Sequence, residues 1–207
     1  FILKVRSQGG VVMGPLFIVL LYLSGSIPFS YIIPKTLKGV DIRRYGSGNV
    51  GATNVIRSLG SKLGILCMVL DALKVYLPLI LTQFALKDAP NKDLYLCLAS
   101  VAGILGHDFP IFLKFKGGKG VACTMGTFFA LHWLTGVLFL LTAVSIALST
   151  RIMSLASLTS LTLAVIFVFP ITQNWSYFAL YLFLCLFSFF QHRKNIVRLL
   201  QGKENKF

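Results

Sequence analysis

Apolar runs as long as the hydrocarbon core of a bilayer recur along this chain, and they leave few folds open to it. A helix needs roughly 20 apolar residues to cross about 30 Å of hydrocarbon. Such runs begin near residues 11, 63, 94, 121, 152 and 175. A helix satisfies its own backbone polar groups, as any segment inside lipid must. The chain has 207 residues, of which 56% are hydrophobic, and a mean hydropathy of +0.81. A soluble domain of this size would need a more polar exterior. The sequence therefore specifies an all-α, polytopic integral membrane protein.

Most of the charge lies in the connections. The formal net charge is +14, from 20 Lys and Arg against 6 Asp and Glu. A basic balance often marks nucleic-acid binding, but no soluble basic face is left to carry it here. The cations sit instead in short loops, where Lys and Arg orient a membrane protein. Three basic regions, 35–62, 114–120 and 191–207, should share the cytoplasmic side, with the balanced KDAPNKD turn at 87–93 opposite.

Parity then requires an even number of crossings between residues 119 and 192. Two crossings would strand about thirty apolar residues of the stretch 121–150. Four fit if 121–134 and 136–149 are short helices joined near His132 and Gly136. The expectation is seven transmembrane helices, with five as the alternative of equal parity. The N-terminus is outside and the C-terminus cytoplasmic. Lys4 and Arg6 violate this orientation mildly. The start of the chain mimics a signal peptide, but its apolar stretch runs on to residue 34. A retained first span over 11–34 is expected.

Two glycine-rich basic loops interrupt the apolar sequence. The first, DIRRYGSGNVGATNVIRSLG at 41–60, contains a literal G-x-G-x-x-G. The dinucleotide fingerprint requires a preceding strand; here a membrane span precedes it, so that reading fails. The second, KFKGGKG at 114–120, lacks the first glycine and the Ser or Thr of a P-loop. Small residues still let backbone amides and cations approach an anion. From composition alone, phosphate binding and simple topology-setting basic turns are equally open.

The remaining polar groups divide by position. Asp71 and Lys74 lie three apart inside an apolar run, and structural pairing is favoured over catalysis. His107, Asp108 and His132 read as packing or interfacial residues. Cys67, Cys97, Cys123 and Cys185 read as free thiols among hydrocarbon. No histidine is followed by an acidic residue four or five positions on. That excludes a zincin and the H-x-x-x-x-D acyltransferase signature. His192 and Asn195, three apart where the last run ends, share one helical face.

Together these stretches resemble one family. GSGNVGATNVIRSLG, then GH-x-FP-x-F-x-x-FKGGKGVA, then HR-x-NI-x-RLL-x-G-x-E are similar to the acyl-phosphate:glycerol-3-phosphate acyltransferases of bacterial membranes, the PlsY family. SGSIPF at 24–29, VDIR at 40–43 and SLASL at 154–158 fit as well. One departure is Val75, where the family commonly has glycine.

The resemblance implies one membrane-embedded acyltransferase domain over 1–207, in the bacterial inner membrane, with its site at the cytoplasmic face. It implies transfer of a fatty acyl group from a long-chain acyl phosphate to the 1-hydroxyl of glycerol 3-phosphate. Lysophosphatidic acid and phosphate would be released, with no cofactor and no metal. It points to Ser47, Arg57, His192 and Asn195 as catalytic. It points to Lys119, Gly117, Gly118, Gly120 and Ser157 as substrate-binding, and to Glu204 as structural. A soluble acyl-phosphate synthase is an implied partner. The rival class is an organophosphate transporter, which would place its site at the midplane between two related halves; no internal repeat is visible.

Overall fold

The computed structural model describes residues 2–207, with side chains described from Met13 onward. Lys4 and Arg6 therefore lie outside the described side chains. Ten α-helices follow in order: α1 Ile2–Gly25, α2 Phe29–Lys38, α3 Ala52–Leu59, α4 Ser61–Ala85, α5 Lys92–Asp108, α6 Val121–Leu131, α7 Trp133–Thr150, α8 Met153–Thr172, α9 Trp175–Gln191 and α10 Arg193–Leu200. No strand occurs among the described residues.

Five stretches are long and apolar enough to cross a membrane: Met13–Lys38, Ser61–Ala85, Lys92–Leu113, Trp133–Thr150 and Met153–Thr172. Counting α9 with α10 as one span, bent by 67°, gives a sixth. The apolar stretch 121–150 is split at His132 into α6 and α7, and α6 has only 11 residues. Leu16, Phe84, Leu148 and Leu186 are more than half exposed. An exterior this apolar is that of a protein solvated by lipid.

The first span, expected over 11–34, runs over Met13–Lys38 and carries a break. It breaks between Gly25 and Phe29, because Pro28 has no N–H to continue the ladder. At the break the Ile27 carbonyl accepts from the Phe29 N–H at 3.2 Å and from the Lys74 Nζ at 2.7 Å. Such repair is required wherever backbone is broken inside the membrane. Lys74 is in turn paired with Asp71 at 2.8 Å, both side chains almost wholly buried. The Ser30 hydroxyl donates to the other Asp71 oxygen at 2.7 Å. The predicted Asp71–Lys74 pairing is thus present, and it spans the break.

Close helix approach does the remaining work. A side chain on Gly106 of α5 would run into the Tyr22 carbonyl of α1. Small residues at such contacts are how lipid-embedded helices gain packing contacts. Val75 is fully buried, with its methyl groups over Gly103. The side chain that departs from the family pattern fills space against α5. Further along the core, the Phe128 ring stacks on Tyr181 with centroids 3.8 Å apart. The Tyr181 hydroxyl meets Thr135 Oγ1 at 2.7 Å. All four cysteines are free.

Removing one partner of the buried pair should be far worse than removing both. Asp71→Asn is expected to lose about 3–5 kcal/mol of stability, read by thermal unfolding in detergent. Asp71→Leu combined with Lys74→Met should recover most of that loss. Equal stability of Asp71→Asn and the unaltered chain would contradict the role given to the pair.

Candidate active site

One cavity of about 470 Å³ opens where both glycine loops, the start of α8 and the end of α9 come together. The first loop reaches it through Asn54, a buried residue of α3. The Asn54 Nδ2 donates to the carbonyls of Ile42 at 3.1 Å, Tyr45 at 3.0 Å and Asn49 at 3.1 Å. Its Oδ1 accepts from the Ser47 N–H at 2.9 Å. One amide thus folds the loop back on the helix that follows and holds Ser47 at the exposed rim. Asn54 is a positioning residue.

Seven of the nine predicted site residues line the cavity: Ser47, Arg57, Lys119, Gly120, Ser157, His192 and Asn195. Gly117 and Gly118 do not. Their N–H groups donate to the carbonyls of Asp108 and His107, each at 3.1 Å. They cap the end of α5 and so anchor the segment that presents Lys119. The expectation that the amides of these two glycines cradle an anion is corrected on that ground.

The polar end of the cavity is organised from the tail. The Glu204 carboxylate accepts from Asn195 Nδ2 at 2.6 Å, Ser154 Oγ at 3.1 Å and Arg198 Nε at 2.7 Å. Burial works against its charge, but the bonds from Arg198, Asn195 and Ser154 hold the carboxyl below its usual range. With its Nδ2 committed to Glu204, Asn195 turns its Oδ1 to Lys119, whose Nζ donates to it. Arg57 donates from Nη2 to the carbonyl of Asn205 at 2.8 Å. Its Nε has no partner.

His192 makes a 2.9 Å contact from Nδ1 to the Ser188 carbonyl. A carbonyl only accepts, so the ring proton is on Nδ1 and Nε2 keeps its lone pair. The Ser157 hydroxyl donates to the Met153 carbonyl at 2.8 Å.

The electrostatics favour an anion. Arg57, Lys119, Lys194 and Arg198 line the cavity, and the carboxylate in its lining, Asp71, is already paired with Lys74. The first turns of α3, α6, α8 and α10 also line it. Helix N-termini carry positive potential and unpaired N–H groups, a natural setting for phosphate. One wall of the cavity is apolar. Met125, Leu140, Val144, Ala147 and Ala156 form a groove between α6, α7 and α8.

Among the lining residues outside the sequence-based set is Arg198, whose spacing from Asn195 puts both on one helical face. Asp71 and His107 line the floor. They come from two different spans, and no spacing along the chain announces their meeting.

The glycerol-3-phosphate acyltransferase family model matches residues 15–202. The chain belongs to this family. A glycerol-3-phosphate acyltransferase 2 of Thermotoga maritima is 47% identical over 92% of this chain and 95% of its own length. A glycerol-3-phosphate acyltransferase of Fusobacterium nucleatum is 43% identical, over 92% of this chain and 96% of its own. The crystal structure of PlsY, an integral membrane glycerol 3-phosphate acyltransferase in its glycerol 3-phosphate form, superposes with a TM-score of 0.86. It has 39% identity and covers 94% of this chain and 96% of that one. A lysophosphatidic acid form of PlsY gives 0.85. The protein is a PlsY-family acyltransferase and a bacterial membrane protein.

Its pH dependence follows from Lys119. Burial, then the nearby Arg198 guanidinium, brings the Lys119 ammonium down to about 8. The cation is complete below that pH and is lost as pH rises through it. The kcat/KM of acyl transfer, which reports free-enzyme ionisations, should fall about tenfold per pH unit above roughly pH 8. In Lys119→Arg the charge persists, so that decline should vanish or move to higher pH. The same decline in both enzymes would contradict the assignment.

Proposed function

We propose that this protein transfers a fatty acyl group from a long-chain acyl phosphate to the 1-hydroxyl of glycerol 3-phosphate. The products are 1-acyl-glycerol 3-phosphate and inorganic phosphate. The observation that carries the reading is the division of one cavity into a cationic end and an apolar groove. An acyl phosphate has these two parts, and the acceptor adds a second phosphate to the cationic end. The identified relatives named for glycerol 3-phosphate support the acceptor.

The chemistry asks little beyond binding and polarisation. An acyl phosphate is already an activated mixed anhydride, so no covalent acyl-enzyme is needed. The acceptor oxygen bonds to the acyl carbon, and the bond from that carbon to the phosphate oxygen breaks. Phosphate leaves with the electron pair. Arg57 and Lys119 meet phosphate charge. Ser47, and Asn195 through its second Nδ2–H, take the role of donating hydrogen bonds to the acyl oxygen as negative charge develops there. The hydroxyl proton goes to His192 Nε2 or to a substrate phosphate. Gly120 and Ser157 shape the walls, and Gly117 and Gly118 position Lys119.

The whole chain acts as one membrane-embedded domain. Seven crossings, with α6 as a short one covered by its neighbours, put the N-terminus outside. The motif regions 35–62, 114–120 and 191–207 then meet at the cytoplasmic face of the inner membrane. A soluble acyl-phosphate synthase on that side is the partner that would supply the donor.

The test uses membranes carrying the protein, labelled glycerol 3-phosphate, and three donors: palmitoyl phosphate, palmitoyl-CoA and palmitoyl acyl carrier protein. Product from the acyl phosphate alone is expected. Product from either thioester alone, or label taken into vesicles without acylation, would overturn the reading.

A further inference from the structure

We propose that Asp108 is a positioning residue of this site. It ties the last turn of α9 to the segment that presents Lys119, and so holds His192 and Asn195 in register with that lysine. The proposal rests on the acyl-transfer reading above. Asp108 ends α5 and is only 3% exposed. It occupies the position that the motif GH-x-FP leaves open, so the link belongs to this chain rather than to the motif.

Two bonds support the inference. The Asp108 carbonyl accepts from the Gly117 N–H at 3.1 Å, two residues before Lys119. Its Oδ2 accepts from Gln191 Nε2 at 2.8 Å. Gln191 is the last residue of α9, and His192 follows it. One residue of α5 thus reaches the Lys119 loop through its backbone and the His192 end of α9 through its side chain.

The need for such a link follows from how His192 is held. Its ring contacts among the described residues are the Ser188 carbonyl at 2.9 Å and the Ser188 Oγ at 3.3 Å, both within α9 itself. They fix the ring on its own helix and leave its distance from Lys119 to the packing of α9. The chain also bends by 67° at His192, so the seating of the last turn of α9 sets the heading of α10 and of Asn195. From the other side Lys119 Nζ donates to Asn195 Oδ1. The Asp108–Gln191 bond is a second tie between the same two segments, and two ties fix a register where one leaves a pivot.

The surroundings of the carboxylate agree with a bond kept for its geometry. Asp108 Oδ1 has no hydrogen-bond partner among the described residues. It faces Gly120, where an added side-chain carbon would come within 3.2 Å of it. A carboxylate left half-satisfied in a buried site costs stability. An apolar residue would avoid that cost, and what it could not supply is the bond to Gln191.

The test compares Asp108→Leu, which removes the acceptor, with Asp108→Asn, which keeps one for Gln191. Neither variant has the charge, so the difference between them reads the hydrogen bond. Thermal unfolding in detergent checks that each is folded. Asp108→Leu should lower kcat about tenfold, as a small displacement of reacting groups does, with a smaller change in the KM of either substrate. Asp108→Asn should recover most of the loss. Gln191→Leu should lose as much as Asp108→Leu, and the double variant should be no worse than either. Should Asp108→Leu not fold, Gln191→Leu against Gln191→Lys, which keeps a donor, makes the same comparison. Unchanged kcat in the folded leucine variants, equal losses in Asp108→Leu and Asp108→Asn, or losses that multiply in the double variant would overturn the proposal.

A second measurement needs no turnover. The chain has three histidines, so the His192 ring signals of ¹⁵N-histidine-labelled protein can be assigned by their loss in His192→Gln. They should move or split in Asp108→Leu and keep their positions in Asp108→Asn. Identical His192 signals in the two variants would overturn the link. Absence of turnover of palmitoyl phosphate by the unaltered protein would count against the acyl-transfer reading alone, while the His192 signals still decide the link.

Discussion

The Asp71–Lys74 ion pair, 2.8 Å long and sealed from solvent, is the interaction on which the rest of the arrangement hangs. An isolated charge of either kind would be costly there, and the pair is tolerable because the Ser30 hydroxyl meets Asp71 Oδ2 and the Ile27 carbonyl meets Lys74. Lys74 closes the break in the first span through Ile27 and orients the ring of His107 on α5. The end of α5 then receives the N–H groups of Gly117 and Gly118, and the next residue is Lys119. Four segments distant in sequence are set by one pair of opposite charges. The stabilisation is modest by the standards of a buried pair replaced with hydrocarbon; what it supplies is a fixed geometry.

A second anchor acts from the other side. Glu204 draws Asn195, Ser154 and Arg198 onto one carboxylate, and Asn195 passes the constraint to Lys119. Lys119 is therefore approached from both ends of the chain, and its burial lowers its affinity for a proton. The apolar wall from α6, α7 and α8 completes a site that is wet and cationic at one end and oily at the other. Hydrocarbon stays where it is soluble while phosphate is met by cations and helix N-termini.

Much of this was legible in the sequence, for identifiable reasons. Runs of apolar residues locate helices because lipid leaves the backbone no other partner. The surplus of apolar residues in 121–150 required the break found at His132. The three motif blocks named six residues, and the SLASL segment a seventh, that the fold gathers into one cavity. Other features were out of reach. Pro28 breaks the first span, but its partner at the break, Lys74 on the Ile27 carbonyl, comes from forty-six residues later. Glycine at 117 and 118 reads the same whether its amides are free or spent, and the carbonyls that take them belong to His107 and Asp108. The short helices α3 and α10 carry too few residues for a clear period, and their placement comes from Asn54 and Glu204. Long-range hydrogen bonds of this kind leave no local pattern to read.

The central claim is that one cavity holds both the phosphate and the hydrocarbon of a single acyl donor. It is tested most directly by a structure of this protein with a hexadecyl phosphonate, a non-transferable analogue. The account predicts the phosphonate oxygens against Arg57 and Lys119, with the alkyl chain running past Ala156, Val144 and Leu140. A phosphonate bound away from both cations, or a chain leaving the cavity by any route other than the groove between α6, α7 and α8, would contradict it.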